Sequence, residues 1–542
     1  MKYKILLVVV VLLAFFLRFY QLGETPVALN IDEVAIGYNA YSILQTGKDE
    51  FGKVLTVVFR SYDDFKPPLL IYLTVLPVAL LGLTDFAVRL APAILGVGSV
   101  LGVYFLSREL FGKKIGLTAA FLLSISPWHL GLTRAAFEVG AQSFFSVWGL
   151  YFFLLWIRSK KVANLILSAA IFSISIYLYQ ASKVFAPFFV FGLFIIYFRQ
   201  LLKDKIGMVL FAAIAIVIQI PNILAFNQGG LSRFQGTSVF QNGEAKDQNL
   251  SFQTTDWLNR DRISAAVFHP TVLEHSQEIL TGYLSHFRPD FLFLGRSGAY
   301  NNYFPQFGLM YLWEAPFLLA GLYFLFSLNK KTAALVLVFG VLLSPLPAAM
   351  TYGVPNPIRS GIILPFPQII TGVGIVGILT WLRKNKGRGL AAIGAGSLII
   401  IVSYGLLFFQ HQVYWHDRKD NSKSWYFGYR QAAEDANLLS KNYSHVVVST
   451  ALGQPHEFFL YYLKYNPVTY QTVDGGTVSG GYSEDKNHFG KFIFRPIKWE
   501  QDKNLPSTLF VGQPTEFAPE AKFLSKVNYL DGKPAMYLVG NK

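Results

Sequence analysis

Four short clusters of charged residues carry the side chains that could do chemistry in this sequence. The first is Asn30-Ile31-Asp32-Glu33, directly before a predicted helix from Val34 to Gln45. Asn30 and Glu33 have the spacing of a capping pair, which gives Glu33 a structural role and leaves Asp32 available. The helix dipole stabilises a carboxylate at a helix N-terminus, so Asp32 is expected to carry the negative charge that a general base needs.

The second cluster is the stretch RSYDDFKPP, from Arg60 to Pro68. The two prolines stiffen the chain and are predicted to hold Lys66 where an amphipathic helix begins. A fixed ammonium group at the depth of the lipid headgroups suits a lipid-linked phosphate. The alternative is a lysine that only extends to the membrane surface. Tyr62, in the same stretch, belongs to the predicted substrate-binding residues.

The other two clusters lie at predicted helix ends. Arg134 and Glu138 are four residues apart, so on one helix they would form an ion pair. Ionisable groups next to apolar segments also tend to mark functional sites. The fourth cluster, Asn356-Pro357-Ile358-Arg359, ends in an arginine whose planar guanidinium could hold a phosphate or anchor the chain at the membrane interface.

Membrane helices are the elements that must position these clusters. Of the 542 residues, 53% are hydrophobic and 15% are charged, whereas about a quarter are charged in an average soluble domain. The net charge of +15 falls in short clusters between apolar runs, which indicates membrane orientation and not nucleic-acid binding. The absence of cysteine excludes disulfides, thiolate catalysis and cysteine-ligated metals.

Loop charges predict how the chain crosses the membrane. The segment Ile5 to Phe16 is interpreted as a retained signal anchor with a cytoplasmic N-terminus. About eleven further apolar runs follow. Basic connectors alternate with neutral ones, and since three apolar runs precede the first basic connector, one run must not cross. Pro67 to Leu83 is the best candidate, as a juxtamembrane helix. The predicted result is about eleven spans with the C-terminus outside. The predicted cytoplasmic connectors are Arg108 to Lys114, Arg158 to Lys161, Arg199 to Lys205, Asn329 to Lys331 and Arg383 to Arg388.

The predicted fold is an all-α polytopic membrane domain with a small C-terminal extracytoplasmic α/β domain, in the cell membrane. Residues 1–410 form the membrane domain, with long outer loops at 21–85 and 225–306. Residues 411–542 form the second domain, because short alternating runs typical of strands occur at 445–450, 491–494 and 508–511. The histidines of the 225–306 loop, His286 among them, lack the close spacing of a zinc site.

Taken together, these clusters resemble the GT-C glycosyltransferases, in the branch of the protein O-mannosyltransferases and aminoarabinose (lipid A) transferases. The resemblance covers roughly residues 1 to 200 in ordered motifs. The motifs are Asp32-Glu33, Lys66-Pro67-Pro68-Leu69, Arg89-Leu90-Ala91-Pro92, Arg108 to Lys114, and Arg134 to Glu138.

The resemblance implies a sugar transfer with inversion, from a polyprenyl-phosphate donor to a lipid, glycan or protein acceptor at the outer face. Asp32 would activate the acceptor and Glu138, where many relatives have Asp, would be the second acid. A divalent metal ion held by Asp32 and Glu138 is left open. Lys66 and Arg359 would neutralise the leaving phosphate, which requires Asp32 and Lys66 to lie together. The substrate- and phosphate-binding residues are predicted to be Lys66, Arg359, Arg134, Glu33 and Tyr62.

Two other classes of protein stay open at this point. A transporter or flippase of lipid-linked sugars would also be polytopic and basic inside, but its charged residues would lie near the bilayer midplane. In this sequence the charged residues lie instead at the predicted outer ends of helices. A non-catalytic partner in a surface-polymer assembly would share the fold without needing Asp32.

Overall fold

The structure is a computed structural model, and it describes residues 1–61, 64–225, 236–242, 244–259, 263, 271–295, 308–327, 330–474 and 487–541. The chain forms two compact units. One, here called the helical unit, comprises Met1–Phe19, Ala93–Thr133 and Glu138–Phe409. The other, here called the mixed unit, comprises Tyr20–Pro92, Arg134–Phe137 and Gln410–Lys542. The mixed unit includes the whole of the predicted outer loop 21–85, and its last segment begins at Gln410. The domain boundaries given above stay predictions.

Long apolar helices dominate the helical unit. Among the described residues, six helices are long and apolar enough to cross a membrane: Asp85–Phe111, Glu138–Ser159, Lys205–Leu224, Lys331–Ala349, Phe366–Asn385 and Gly387–Asp420. The pair Lys113–Ile125 and Pro127–Arg134, bent by 56°, makes a seventh span if it is counted as one.

The predicted total of eleven spans depends on shorter helices. The apolar helices Val162–Ser175, Ser182–Ile196 and Glu314–Ser327 have 10–17 residues, and a helix of 14 residues is only about 21 Å long. The first helix, Lys2–Phe19, has 18 residues and carries Lys2, Lys4 and Arg18. Eleven spans require these four helices to cross as well, so the total stays a prediction. The remaining helices of the unit are Phe198–Leu201, Val239–Asn242, Glu244–Leu258, Thr271–Ser285, a π-helix at Asp290–Leu294, and a 3₁₀-helix at Gly361–Ile363.

The mixed unit contains a β-hairpin and a six-stranded sheet. Strands β1 (Phe59–Ser61) and β2 (Asp64–Lys66) form the antiparallel hairpin. The sheet has the order β4-β5-β3-β6-β8-β7, and β3 pairs in parallel with β5 and β6. Its strands are β3 (His445–Val448), β4 (His488–Phe489), β5 (Phe492–Phe494), β6 (Thr508–Gly512), β7 (Phe523–Asn528) and β8 (Pro534–Asn541). The three strands that the alternating runs predicted are confirmed as β3, β5 and β6.

Burial explains why the central strands are apolar. All five residues of β6 and the three valines of β3 are buried, as expected where both faces of a parallel pair are covered. Phe459 packs against β5 in edge-to-face contacts, with its ring centroid 5.6 Å from that of Phe492 and 5.9 Å from that of Phe494. The helices of the mixed unit are Ile31–Thr46, Leu69–Leu81, Arg418–Asp420, Tyr429–Leu439, Pro455–Tyr462, Pro467–Thr472 and Trp499–Asp502, with a π-helix at Gln412–Asp417.

The C-terminal part of the mixed unit holds the first-loop helix, Ile31–Thr46, in place. A Cβ atom on Gly37 would come within 2.5 Å of the Tyr461 ring, so the two helices approach closely at this glycine. The Tyr38 hydroxyl donates to the backbone oxygen of Tyr465 at 3.1 Å. The Gln471 side chain donates to the Ser42 hydroxyl at 2.9 Å. Residues more than 400 positions apart therefore fix the helix whose N-terminus carries Asp32.

Candidate functional site

The capping pair predicted at Asn30 and Glu33 is confirmed. The Asn30 side-chain oxygen accepts the Glu33 backbone N–H at 3.0 Å, and the Asn30 backbone N–H donates to the Glu33 carboxylate at 2.9 Å. The helix begins at Ile31, three residues before the predicted start, and ends at Gly47, which adopts the left-handed conformation. The cap turns Glu33 inward and leaves Asp32 in the first turn with 39% of its side chain exposed.

Glu33 is the centre of a buried network. Its carboxylate pairs with Arg89, with an Nε–Oε1 distance of 2.7 Å, and both side chains are 0% exposed. The same oxygen accepts the backbone N–H of Ala136 at 3.0 Å. Arg89 in turn donates to the carbonyls of Pro26 and Ala28. This network gives Glu33 a structural role that occupies both of its oxygens, and its predicted contact with substrate stays a prediction.

Substituting Glu33→Gln is expected to destabilise the protein by about 3–5 kcal/mol, because it leaves the guanidinium of Arg89 buried without its counter-charge. Thermal unfolding of the purified protein would measure the loss. Glu500→Gln is the matched control, since Glu500 pairs with Lys503 at a site where it is 78% exposed, and such a pair contributes at most about 1 kcal/mol. Equal melting temperatures for wild type and Glu33→Gln would contradict the structural role.

Lys66 meets Asp32. Lys66 is the last residue of β2, directly before Pro67 and Pro68, and the helix Leu69–Leu81 follows. Its side chain is 2% exposed and forms an ion pair with Asp32. The predicted convergence of these two side chains is therefore present, whereas their roles in catalysis stay predictions. The sequence did not reveal the hairpin that positions Lys66, and Tyr62 lies outside the described residues.

Arg134 is held by backbone carbonyls. Its guanidinium donates to the oxygens of Tyr20 at 2.9 Å and Thr25 at 2.8 Å, and it lies over the ring of Tyr414. The side chain is 5% exposed. These contacts tie three segments of the mixed unit together and favour a positioning role over the predicted contact with phosphate.

The interpretation of Arg134 and Glu138 as an ion pair within one helix is wrong. One helix ends at Arg134 and the next begins at Glu138, so the i, i+4 geometry does not form. Glu138 belongs to the helical unit, where it attracts Lys183 electrostatically. Its predicted role as the second acid stays a prediction.

Arg359, also in the helical unit, follows a tightly bonded turn. The Asn356 side-chain oxygen accepts the backbone N–H groups of Ile358 at 2.9 Å and Arg359 at 3.0 Å. The Trp128 indole donates to the oxygen of Pro357 at 2.8 Å. The Arg359 guanidinium donates to the Thr351 hydroxyl at 2.8 Å. Local bonds thus fix the direction of this arginine, and its predicted contact with phosphate stays a prediction.

His286 contacts the turn that precedes Arg359. The sequence did not indicate this contact. Its Nδ1 lies 2.8 Å from the oxygen of Gly282, and its Nε2 accepts the backbone N–H of Asn356 at 3.3 Å. This pattern assigns the proton to Nδ1 of a neutral ring. Burial lowers the pKa of His286 from 6.5 to about 4, so the ring is neutral at physiological pH.

The pKa of His286 predicts an acid sensitivity. The unfolded chain takes up a proton on His286 below pH 6.5, whereas the folded chain does so only near pH 4. Stability is therefore full above pH 6.5 and falls as the pH drops towards 4. Between pH 7 and pH 4.5, wild type should lose about 2–3 kcal/mol more than His286→Gln. Thermal melts of both proteins at the two pH values measure this difference, and parallel losses would contradict it.

The sequence also did not predict a second series of buried polar side chains, which contact one another in the helical unit. The Arg18 guanidinium lies 2.6 Å from Nδ1 of His129, and Nε2 of His129 lies 2.8 Å from the Ser143 hydroxyl. Arg18 also donates to the oxygen of Ser124 at 3.2 Å, at the bend between Lys113–Ile125 and Pro127–Arg134. These contacts hold Arg18 against the bend, and the sequence gave no signal for them because Arg18 is more than a hundred residues from His129 and Ser124.

A metal site is not formed by any cluster in the part of the chain that the structure describes. There, no group of three or more His, Asp or Glu side chains is close enough to hold a metal ion. Asp32 uses its carboxylate to pair with Lys66. The divalent metal ion at Asp32 and Glu138 stays a prediction from the resemblance, and the chemistry below does not depend on it.

Part of this chain matches a known protein family, and its fold resembles those of solved structures. Residues 65–224 match the model of the dolichyl-phosphate-mannose-protein mannosyltransferase family, although no curated protein matches the chain. ArnT from Cupriavidus metallidurans superposes with a TM-score of 0.56 at 13% identity, over 100% of this chain and 98% of that one. A second structure of that protein, bound to undecaprenyl phosphate, gives the same TM-score at 12% identity and the same coverage.

The archaeal oligosaccharyltransferase AglB from Archaeoglobus fulgidus is a further structural relative. It was solved with an inhibitory peptide and a dolichol-phosphate, and it superposes with a TM-score of 0.53 at 14% identity, over 94% of this chain and 69% of that one. At this level of identity the likeness concerns the fold. The chain is thus a membrane protein with the fold of the GT-C glycosyltransferases, similar to the family of the dolichyl-phosphate-mannose-protein mannosyltransferases over residues 65–224.

Proposed function

We propose that this protein is an inverting glycosyltransferase that moves a sugar from a polyprenyl-phosphate donor to an acceptor on the outer face of the cell membrane. The observation that carries the proposal is the ion pair between Asp32, 39% exposed, and Lys66, 2% exposed. An accessible carboxylate beside an enclosed ammonium supplies a base for an acceptor and a positive charge for a leaving phosphate. The polyprenyl phosphates bound to ArnT and AglB support this class of donor.

In the proposed reaction, Asp32 acts as a general base. It accepts the proton of the acceptor hydroxyl or amine while the acceptor oxygen or nitrogen forms a bond to the anomeric carbon. The bond from that carbon to the phosphate oxygen breaks, and its electron pair stays on the phosphate. Attack from the side opposite to the leaving group inverts the anomeric configuration.

Lys66 stabilises the charge that develops on the leaving phosphate. The phosphodiester of the donor carries one negative charge, and the released monoester carries about −1.5 to −2. A fixed ammonium therefore interacts more strongly with the phosphate as the bond breaks, which lowers the barrier. Because Lys66 is 2% exposed, little solvent screens this interaction.

The ion pair also suggests how donor binding prepares the base. Without a donor, each member of the pair neutralises the other. A donor phosphate competes with Asp32 for the ammonium of Lys66, and its binding frees the carboxylate to accept a proton. In this scheme the base becomes available once the sugar donor is in place.

Glu138 and Arg359 are proposed as the second acid and the second phosphate-binding cation. The turn that fixes Arg359 supports a directed guanidinium. Arg134 and Glu33 are proposed to position the helix that carries Asp32, because their bonds join residues 20–30, the start of that helix and residues 134–136. Tyr62 stays among the proposed substrate contacts.

The proposed orientation has the N-terminus in the cytoplasm and the sheet outside. Eleven spans give that result, and the predicted cytoplasmic loops carry the basic connectors. A reporter fused after Lys542 should be reached by an external protease or membrane-impermeant label in intact cells, whereas one fused before Met1 should not. A C-terminal reporter that is protected until the cells are lysed would contradict the eleven-span arrangement.

One experiment separates transfer from transport. Vesicles containing the purified protein would be supplied with a panel of polyprenyl-phosphate sugars labelled in the sugar, with lipid, glycan and peptide acceptors. The proposal predicts that label leaves the prenyl carrier in a reaction that needs an acceptor and Asp32. A flippase would carry the intact labelled lipid across the vesicle membrane. Movement across the membrane without cleavage of the sugar–phosphate bond would refute the proposed function.

A further inference from the structure

A second cation-lined cavity lies in the helical unit, at the end opposite to Arg359. It has a volume of about 580 Å³, and Lys114, Arg383 and Arg388 line it. Arg383 is in the last turn of helix Phe366–Asn385, while the turn of Arg359 precedes the first. A 20-residue helix is about 30 Å long, so this cavity and the Arg359 turn are about a membrane thickness apart.

The charges in this cavity are not matched by acids. Among the described residues, none that lines the cavity is acidic. Within the same part of the chain, Lys114, Arg383 and Arg388 form no ion pair. Two helices also begin here, at Lys113 and at Gly387, and their N-termini add partial positive charge. This concentration of charge favours an anion.

Most of the rest of the wall is apolar, and the hydroxyl-bearing residues Tyr3, Thr118 and Thr380 complete it. Leu117, Val376 and Leu379 line it together with three alanines, Ala391, Ala392 and Ala395. Few residues of the helix that supplies these alanines are fully buried in the protein, only 6% of its most apolar stretch. A ligand that suits the whole cavity therefore needs a negatively charged head and a hydrocarbon chain. A free phosphate would leave the apolar wall without a partner.

We propose that this cavity binds the phosphate headgroup of an anionic phospholipid from the cytoplasmic leaflet. Both basic connectors that meet here, Arg108 to Lys114 and Arg383 to Arg388, are predicted to be cytoplasmic, where anionic lipids attract Lys and Arg. The tendency of cytoplasmic loops to carry Lys and Arg would by itself explain why these charges lie in loops. It would not explain why two separate connectors line one cavity whose wall is mostly apolar.

Lipid binding to the full-length protein tests this proposal. Native mass spectrometry in neutral detergent would follow titration with phosphatidylglycerol and, separately, phosphatidylcholine. Phosphatidylglycerol should bind at least about tenfold more tightly. The triple variant Lys114→Gln, Arg383→Gln, Arg388→Gln should weaken it by about a hundredfold, because each of the three cations near the membrane surface contributes about 1 kcal/mol.

The matched control removes the same charge from another connector on the same predicted side. The variant Arg199→Gln, Lys203→Gln, Lys205→Gln does not touch the cavity and should bind phosphatidylglycerol within about twofold of wild type. Equal affinity for the two lipids, or an equal loss in both triple variants, would overturn the proposal, because either result indicates a general surface-charge effect.

A second variant keeps every charge and fills the apolar wall. Ala392→Trp should weaken phosphatidylglycerol binding by about tenfold while the melting temperature stays that of wild type. This variant also tests the proposal if the triple variant does not fold. Two results would show that the apolar wall does not contribute to binding: normal lipid binding by Ala392→Trp, or displacement of the lipid by millimolar inorganic phosphate. Either result would mean that the lipid assignment is wrong.

Discussion

Asp32→Asn is expected to lower the rate of sugar transfer by about 10²- to 10⁴-fold, the usual contribution of a general base. Asparagine has the same shape and keeps an oxygen that accepts a hydrogen bond from Lys66, but it cannot take the proton of the acceptor. The loss should appear in the maximal rate, whereas the donor concentration that gives half of this rate should not rise. Release of labelled sugar from the prenyl carrier measures both quantities.

The neighbouring acid provides the contrast for this variant. Glu33→Gln should act mainly on stability, since Glu33 is 0% exposed and paired with Arg89. At a temperature where both variants are folded, Glu33→Gln should be far more active than Asp32→Asn. If Asp32→Asn turns over at the wild-type rate, Asp32 is not the base, and the non-catalytic and transport classes become the better explanations.

Lys66→Gln has the second largest expected effect. It removes the charge that stabilises the leaving phosphate, which is expected to cost about 10²- to 10³-fold in rate. It should also weaken binding of the prenyl phosphate by about 10- to 100-fold, the loss of one hydrogen bond to a charged group. Titration of purified protein with undecaprenyl phosphate measures the affinity, and sugar release measures the rate.

Two further variants make this result specific. Lys66→Arg keeps a positive charge and should retain more affinity than Lys66→Gln. Lys53→Gln removes an exposed lysine from the same loop and should leave both affinity and rate unchanged. If Lys53→Gln and Lys66→Gln have equal effects, the loop attracts the phosphate through its total charge, and Lys66 has no particular role.

Local sequence rules predicted the parts of the site that local bonds determine. The Asn30–Glu33 cap was predictable because its two bonds join residues three positions apart. The strands at 445, 491 and 508 were predictable because short alternating runs between turn residues are typical of strands. The inward direction of Glu33 followed from the cap, but its partner Arg89 did not, since 56 positions separate the two residues.

Tertiary contacts determine the features of the site that the sequence left open and those that it predicted wrongly. The resemblance required Asp32 and Lys66 to meet, but no spacing rule could derive a pair 34 positions apart. The hairpin that carries Lys66 has no glycine in the stretch FRSYDDFK, so the usual turn signal was missing. Arg134 and Glu138 looked like a helical pair, yet Arg134 ends its helix and donates to the carbonyls of Tyr20 and Thr25.

The same reasoning explains why the role of the C-terminal residues was not predicted. Their strands were visible in the sequence, whereas the contacts of Tyr461, Tyr465 and Gln471 with helix Ile31–Thr46 join segments more than 400 residues apart. Such contacts depend on the shape of both surfaces and not on any pattern within one of them. They make the helices Pro455–Tyr462 and Pro467–Thr472 a support for the helix that carries the proposed base.

The most direct test of the central claim is the affinity for undecaprenyl phosphate of wild type, Asp32→Asn and Lys66→Gln, measured side by side. This lipid needs no knowledge of the sugar or the acceptor. If phosphate and Asp32 compete for one ammonium, Lys66→Gln weakens binding, whereas Asp32→Asn tightens it by about two- to fivefold, the contribution of a partly exposed ion pair. Equal affinities in all three proteins, or a loss in both variants, would contradict the account.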